Sequence, residues 1–190
     1  MTTTTLDKSD QIGRTHDSVR TRVRVGRIGV GSIAVLTILI SIWAAAVPYM
    51  GPLFGYDATG TGSWHWSLSH SLLGLVPGAL AAAVGLLVLA QVRGITLGSG
   101  RLSLSVAGFI LLLCGAWIVV GPTVWPAILS TSGTYFVAAS PLRSFVNQLG
   151  YSLGAGVMVA ACGGFIAGWA ARHGAAEAPS EARVDMSPNT

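Results

Sequence analysis

Four long apolar runs, separated by polar segments, dominate this chain of 190 residues. They cover about residues 28–47, 68–92, 102–120 and 145–171. A helix of about 20 apolar residues spans roughly 30 Å, which matches the hydrocarbon core of a bilayer. In hydrocarbon every backbone polar group needs a partner within the protein, and a helix supplies one for each. The pattern therefore predicts an all-α integral membrane protein, a bundle of four helices.

Composition strengthens this interpretation. Of all residues 52% are hydrophobic and 9% are charged, whereas about a quarter of a soluble domain is charged. The charges are concentrated in the two terminal segments, 1–25 and 173–190, which show no apolar period and are predicted to be disordered tails. Four charged residues lie between Arg27 and Arg172: Asp57, Arg93, Arg101 and Arg143.

The arginines near the helix ends predict an orientation. A basic cluster precedes the first run, Arg93 and Arg101 flank the loop between the second and third, and Arg172 follows the fourth. The positive-inside rule places these segments, and both termini, in the cytoplasm. The cluster is also a candidate contact for anionic lipid headgroups. Its members are Arg20, Arg22, Arg24 and Arg27.

The first run has a competing interpretation. A basic leader, an apolar stretch and Ala44, Ala45 and Ala46 also resemble a secretory signal peptide with its cleavage site. The stretch is long for the apolar part of such a signal, so a retained helix is favoured. The repeat described next also favours retention.

A proline motif occurs twice. Trp43, Pro48 and Pro52 follow the pattern W-x4-P-x3-P, and the same pattern recurs 74 residues later. Indole rings favour the membrane interface, and prolines end a helix or tilt its last turn. The chain is therefore predicted to contain two tandem helix-loop-helix units with the same orientation, 26–93 and 94–172. The second copy of the motif consists of Trp117, Pro122 and Pro126.

Glycine pairs of the form GxxxG recur in the second and fourth helices. Without side chains at these positions two helix backbones can approach closely, which predicts that helices two and four pack on each other. Pro77, inside the second run, is expected to kink that helix. The glycines are Gly74 and Gly78, Gly150 and Gly154, and a further pair, Gly164 and Gly168.

The repeated motif resembles that of SPW-repeat membrane proteins, which are small bacterial proteins built from duplicated two-helix units. The resemblance covers about residues 28–171, although the Ser-Pro-Trp tripeptide itself is not intact. It implies the fold and a membrane location, and it brings no catalytic residue. The residues that carry it are Gly115, Trp117, Pro122 and Trp125 in the second half, with Trp43 and Pro48 in the first.

Candidate chemistry is sparse. No Asp, Glu, Lys or Arg lies within the four runs, and such residues form the usual proton relays and ion paths. This weakens the case for a proton-coupled transporter or an ion pump. Asn147 and Gln148, near the outer end of helix four, stand out as strongly polar.

His65 and His70, at the start of helix two, are the weak candidates for haem or metal ligands. A transmembrane bis-histidine haem needs two histidines that face each other from different helices, and His173 and His16 lie elsewhere. A metal site with Asp57 has only loop geometry in its favour. The favoured interpretation is an aromatic interfacial belt with polar tips, so no cofactor or metal is predicted.

These features favour a non-enzymatic multi-pass protein of the bacterial plasma membrane, an accessory or scaffold subunit of a cell-envelope complex. Its expected partners are lipid and other membrane proteins, or a second copy of itself through the glycine faces, and no nucleic acid. One alternative is a transporter or channel component for an apolar or lipid-like solute. Another is a redox protein that uses haem or quinone.

Overall fold

Four long helices form the molecule. The computed structural model describes residues 6–56, 63–94, 100–129 and 140–175, with side chains within 28–56, 63–94, 102–129 and 140–172. All four helices are long and apolar enough to cross a membrane, and no β-strand occurs among the described residues. The predicted all-α membrane bundle is therefore confirmed. The helices are α1, Leu6–Met50; α2, from Leu68 to Val92; α3, Gly100–Ile128; and α4, from Pro141 to Ala175.

Two of the helices are not α-helical throughout. α2 contains a π-helical turn at Ser71–Leu75, and α4 contains one at Leu149–Leu153. A short 3-10 helix, Gly51–Phe54, follows α1 and ends at Gly55, whose positive φ of 83° suits glycine. Each π turn lies near the first residue of its helix, so both occur at the same end of the bundle.

Serines begin the two returning helices. Ser67 precedes α2, and its side chain accepts a hydrogen bond from the backbone N–H of His70. Ser140 caps α4 in the same way through the N–H of Arg143. Each serine thereby satisfies one of the N–H groups that a helix leaves unpaired at its start. At the other end of α2, Gly94 adopts a φ of 84°, a left-handed conformation that stops the helix.

α1 is longer than the sequence predicts. The prediction of a disordered tail over residues 1–25 differs from the structure for residues 6–25, which continue the membrane helix. This segment contains one glycine, Gly13, and no proline, so nothing in it breaks a helix that the apolar run has already begun. The side chains of the basic cluster lie outside the described residues, and their contact with headgroups remains a prediction.

The prolines were predicted to end a helix or tilt its last turn, and neither Pro48 nor Pro122 ends one. α3 was predicted to end at residue 120, but it continues past Pro122 and Pro126 to Ile128. α1 includes Pro48 and ends at Met50. A proline removes one backbone hydrogen bond, whereas a helix that ends inside the hydrocarbon leaves several groups unpaired. Continuing the helix is therefore the more favourable choice. Of the four prolines in the repeated motif, Pro52 alone coincides with a change of structure, since it lies in the first turn of the 3-10 helix.

The four helices pack as a ring of neighbours. α1 packs on α2 and α3 packs on α4, while α2 with α3 and α1 with α4 close the ring more sparsely. Each of these two pairs of helices is thus a hairpin with its own extensive interface. The described residues within 28–94 form hairpin one, and those within 100–172 form hairpin two. The interior consists mainly of branched aliphatic side chains, the largest of which are Leu111, Ile118, Ile166, Val30, Val47, Val88 and Val159.

The predicted pairing of helices two and four is wrong. A Cβ on Gly78 would lie 2.7 Å from the backbone nitrogen of Ala45 in α1, and Gly74 faces Pro48 of the same helix. α2 and α4 stand diagonally across the ring and share no substantial interface. The glycines of α2 do permit a close helix approach, but the approach is to α1, its hairpin partner.

The glycines of α4 divide into two groups. Gly150 lies against the ring of Tyr56, and a Cβ on Gly154 would meet the carbonyl of Leu149 in its own π turn. Gly164 and Gly168 have nothing within 4 Å of a Cβ position, so they do not join any two helices of this chain. The GxxxG spacing alone did not reveal which face of α4 is buried.

The closest helix approach uses glycines that the sequence analysis missed. A Cβ on Gly115 would lie 2.5 Å from the backbone nitrogen of Ala160, and a Cβ on Gly163 would lie 2.6 Å from the carbonyl oxygen of Gly108. Gly156 packs against Gly115 from the opposite side. In each helix the two glycines are seven residues apart, which places them on one face over two turns. This spacing of seven residues is the feature of the sequence that could have indicated the close contact between α3 and α4.

Candidate functional site at the loop end of the bundle

Two indole hydrogen bonds join the hairpins at the end of the bundle formed by the described residues within 43–75 and 117–153, which we call the loop end. Trp43 Nε1 donates to the carbonyl oxygen of Gly150 at 3.0 Å, and Trp117 Nε1 donates to the carbonyl oxygen of Leu72 at 3.0 Å. Each acceptor is the second residue of a π turn. Each tryptophan therefore binds the returning helix of the other hairpin, and we call these two bonds the indole clamps.

The π turn of α2 explains why the carbonyl of Leu72 needs such a donor. In this turn the N–H of Val76 bonds to the carbonyl of Ser71, five residues earlier. The next donor in that series would be Pro77, which has no N–H. An unpaired carbonyl in apolar surroundings is costly, on the order of a few kcal/mol. The indole of Trp117 supplies the missing hydrogen bond.

The clamp between Trp43 and Gly150 is reinforced by an aromatic contact. The ring of Tyr56 packs edge-to-face on Trp43 with ring centroids 6.1 Å apart, and it also covers Gly150. A side chain at Gly150 would displace the tyrosine ring. Glycine at this position therefore permits the acceptor carbonyl, the indole and the phenol ring to lie together.

The structure changes the role predicted for the repeated tryptophans. The sequence predicts that Trp43 and Trp117 lie at the interface with their N–H groups towards water, but both N–H groups bond to backbone carbonyls. An indole has one donor and no acceptor, so neither ring needs water. They hold the two hairpins together, and Pro48 and Pro122, which follow them, lie within helices.

A second cluster surrounds the start of α2. The hydroxyl of Tyr49 lies 3.3 Å from Ser71 Oγ. Its ring packs on His70 and Trp66, with centroid distances of 5.9 and 4.8 Å. His70 is buried, and its Nδ1 lies 2.9 Å from the carbonyl oxygen of His65. The cluster ties the end of α1 to the first turns of α2.

This geometry gives the two histidines different positions. His70 packs in the cluster, whereas the side chain of His65 is exposed and its backbone carbonyl is what contacts His70. The two rings come from one segment and do not face each other from separate helices. Within the described residues no group of three His, Cys, Asp or Glu side chains can hold a metal ion. Asp57 and His16, the other candidates, have no described side chains.

Polar groups are also buried at the start of α4. Asn147 and Ser152 are almost fully buried, and Ser152 Oγ donates to the carbonyl of Gln148 at 3.3 Å. Tyr151 packs against Val47 of α1. The loop end of the bundle thus has polar and aromatic side chains, whereas the rest of the core is mainly aliphatic, with Thr37 and Ser41 as buried polar residues. The sequence pointed to Asn147 but gave no sign that Ser152 is buried.

The segment that leads into α2 is strained. Trp64 has a φ of 61°, which is rare for a bulky residue. Its backbone N–H donates to the carbonyl of Tyr49 at 3.0 Å, which holds the segment against α1. The side chains of Trp64 and Trp66 remain 62% and 68% exposed. Two indoles are thus exposed at the loop end.

The fold and this site define a four-helix integral membrane protein whose hairpins are joined by indole-to-carbonyl bonds. Compared with protein-family models, curated proteins and solved structures, the chain has no match in any of the three. The resemblance to SPW-repeat proteins and the tandem repeat therefore remain predictions.

Proposed function

We propose that this chain is a non-enzymatic accessory or scaffold subunit of a cell-envelope complex in the bacterial plasma membrane, with both termini in the cytoplasm. The orientation rests on the arginines: Arg93 and Arg172 lie exposed at the end of the bundle opposite the loop end. The proposed tandem repeat is consistent with the reciprocal indole clamps, in which each hairpin donates to the other.

The packed interior carries the proposal. At the interface of α3 and α4, Gly108, Gly115, Gly156 and Gly163 bring backbone directly against the neighbouring helix. The largest buried cluster of the bundle draws on all four helices and consists mainly of aliphatic side chains, among them Val30, Val88, Leu111 and Ile166. Such close packing suits a structural role, whereas proton or ion transport needs ionisable groups within the spans, and the four apolar runs contain no Asp, Glu, Lys or Arg.

Site-directed photocrosslinking in intact membranes tests this proposal. A crosslinking amino acid is placed singly at one lipid-facing position of each helix: Leu39, Leu80, Phe109 and Val157, all of which are exposed. A scaffold subunit should give one crosslinked partner from one or two neighbouring helices and none from the others. Leu111, fully buried in α3, is the matched control and should crosslink only within the chain.

Two results, if found together, contradict the subunit role. If all four positions crosslink only to lipid, and the protein purifies alone in mild detergent, no partner subunit exists. Flux of an apolar solute into vesicles that contain the purified chain would then support the alternative, a transporter component. The two π turns favour this second candidate, since such turns are frequent at sites that move or bind ligands.

A visible spectrum of the purified chain tests the redox alternative. A haem would give an intense Soret band, and His70→Ala should remove it if His70 is an axial ligand. His65→Ala is the matched control, because the side chain of His65 is exposed and its carbonyl remains in the variant. If the chain is purified with added haem and shows no Soret band, the haem form of the redox alternative is excluded.

A further inference from the structure

The lipid-facing surface of the bundle is longer than an average hydrocarbon core. α3 measures it best, because its apolar span Leu102–Ile128 is α-helical throughout and has 27 residues. At about 1.5 Å per residue this is about 40 Å, against about 30 Å for a typical hydrocarbon core. The residues at the two limits are well exposed, Leu102 at 71% and Ile128 at 55%.

The exposed face of α3 is apolar without interruption. No Asp, Glu, Lys or Arg occurs between residues 102 and 128. The exposed Thr123 hydroxyl bonds to the carbonyl of Val120 at 2.6 Å, so it needs no water. Exposed side chains follow one another at intervals of three or four residues, and include Val106, Phe109, Leu113, Trp117, Val120 and Val124.

α1 and α2 extend the same band over their sides of the bundle. The apolar span of α1 with its 3-10 helix is Ile28–Phe54, 27 residues, and that of α2 is Leu68–Val92, 25 residues. Ile28, Phe54 and Leu68, at the limits of these spans, are all exposed. Three of the four helices thus carry the band, which is more of the circumference than a single protein partner on one side would cover. A band of this kind fits lipid chains.

Trp43 and Trp117 do not mark the edge of this band. If they did, the hydrocarbon core would extend only 16 residues from Arg101 to Trp117, about 24 Å. The helix continues 11 residues beyond Trp117, and the indole N–H is already bonded to the carbonyl of Leu72. Trp64 and Trp66, exposed at the loop end, are better placed for the interface that indoles favour.

Tilting does not resolve the mismatch easily. To fit a span of about 40 Å into about 30 Å, the bundle would tilt by about 40°, the upper limit seen for membrane helices. Because the four helices form one packed body about 20 Å wide, such a tilt would raise one edge about 13 Å above the other. Apolar residues at the raised edge would then leave the hydrocarbon.

We propose that the lipid partner of this chain is a bilayer with long acyl chains, whose hydrocarbon core is about 35–40 Å thick. In such a bilayer the apolar ends of α1, α2 and α3 are covered on every side. In a thinner bilayer they are exposed to headgroups and water, which costs fractions of a kcal/mol per Å of mismatch and drives chains to associate. This inference is independent of any partner subunit.

Reconstitution of the full chain tests the inference. Vesicles of phosphatidylcholine are made with monounsaturated chains of about 14, 18 or 22 carbons. The readouts are the thermal unfolding midpoint and energy transfer between labelled chains. We expect the highest midpoint and the weakest energy transfer in the longest lipid. An optimum at about 18 carbons or fewer would overturn the proposal.

A charge placed at the end of the band gives an independent check. Ile128→Arg shortens the apolar span of α3 by about one turn, and should move the lipid optimum towards shorter chains. Leu142→Arg is the matched control, because Leu142 is exposed beside Arg143 at the loop end, and it should leave the optimum in place. If Ile128→Arg also leaves it in place, Ile128 lies outside the hydrocarbon and the proposal fails.

Discussion

The indole nitrogen of Trp117 lies 3.0 Å from the carbonyl oxygen of Leu72 and supplies a hydrogen bond that Pro77 cannot donate. A proline in one hairpin is thereby compensated by a tryptophan in the other. Trp43 makes the corresponding bond to Gly150. The two hairpins of the bundle thus depend on each other at the loop end, although each has its own extensive interface.

Trp117→Phe should lower the free energy of unfolding by about 1–2 kcal/mol. The variant keeps an aromatic ring but leaves the carbonyl of Leu72 without its donor. Thermal unfolding in mild detergent measures the loss. Trp64→Phe is the control, because the Trp64 side chain is exposed, and its stability should not change. Equal stability of both variants would show that the clamp contributes nothing.

Pro77→Ala should rescue Trp117→Phe in part. The alanine restores an N–H five residues after Leu72, which can bond to the carbonyl that the missing indole leaves unpaired. In the Pro77→Ala background we therefore expect Trp117→Phe to lose less than half as much stability. A double-mutant cycle measures this coupling. The control combines Trp43→Phe with Pro77→Ala, because Trp43 donates to Gly150 in α4. In that double variant the two changes in the free energy of unfolding should simply add.

The sequence predicts the four helices correctly, but not the helix ends or the hydrogen-bond acceptors of the indoles. The apolar runs fix four helices, because length and lack of charge leave few alternatives in lipid. The helix ends at Pro48 and Pro122 were misplaced, because proline rules drawn from soluble helices underrate the cost of leaving backbone groups unpaired in hydrocarbon. The acceptors of Trp43 and Trp117 depend on two π turns, and no pattern in the sequence marks those turns.

The sequence also could not predict which helix each glycine contacts, for a different reason. GxxxG identifies a surface that allows close approach, but a ring of four helices offers each helix two neighbours and one lipid face. Gly78 and Gly164 have the same motif, yet one meets Ala45 of α1 and the other has nothing within 4 Å. Only the packing of the whole bundle decides between those positions.

Gly163→Ala and Gly164→Ala should therefore differ sharply, although the residues are adjacent. A Cβ on Gly163 would lie 2.6 Å from the carbonyl oxygen of Gly108 and 2.7 Å from the nitrogen of Leu112. Because both atoms are backbone, α3 and α4 must separate, and we expect a loss of about 1–3 kcal/mol. Gly164→Ala should be neutral or slightly stabilising. Similar unfolding midpoints for the two variants would contradict this packing.

Ser41→Ala should leave the stability unchanged or raise it by about 1 kcal/mol. Ser41 Oγ is buried and is the one such side-chain atom among the described residues without a hydrogen-bond partner. Removing an unpaired hydroxyl from an apolar interior removes its desolvation penalty.

Thr37→Val gives the matched comparison one turn earlier, since Thr37 Oγ1 donates to the carbonyl of Ile33 at 2.8 Å. This variant loses a hydrogen bond at nearly constant volume, and we expect a small loss of stability, about 0.5–1 kcal/mol. Thermal unfolding of both variants in the same detergent measures the difference. If Ser41→Ala proves the more destabilised of the two, the hydroxyl of Ser41 binds a group such as a buried water molecule in the membrane.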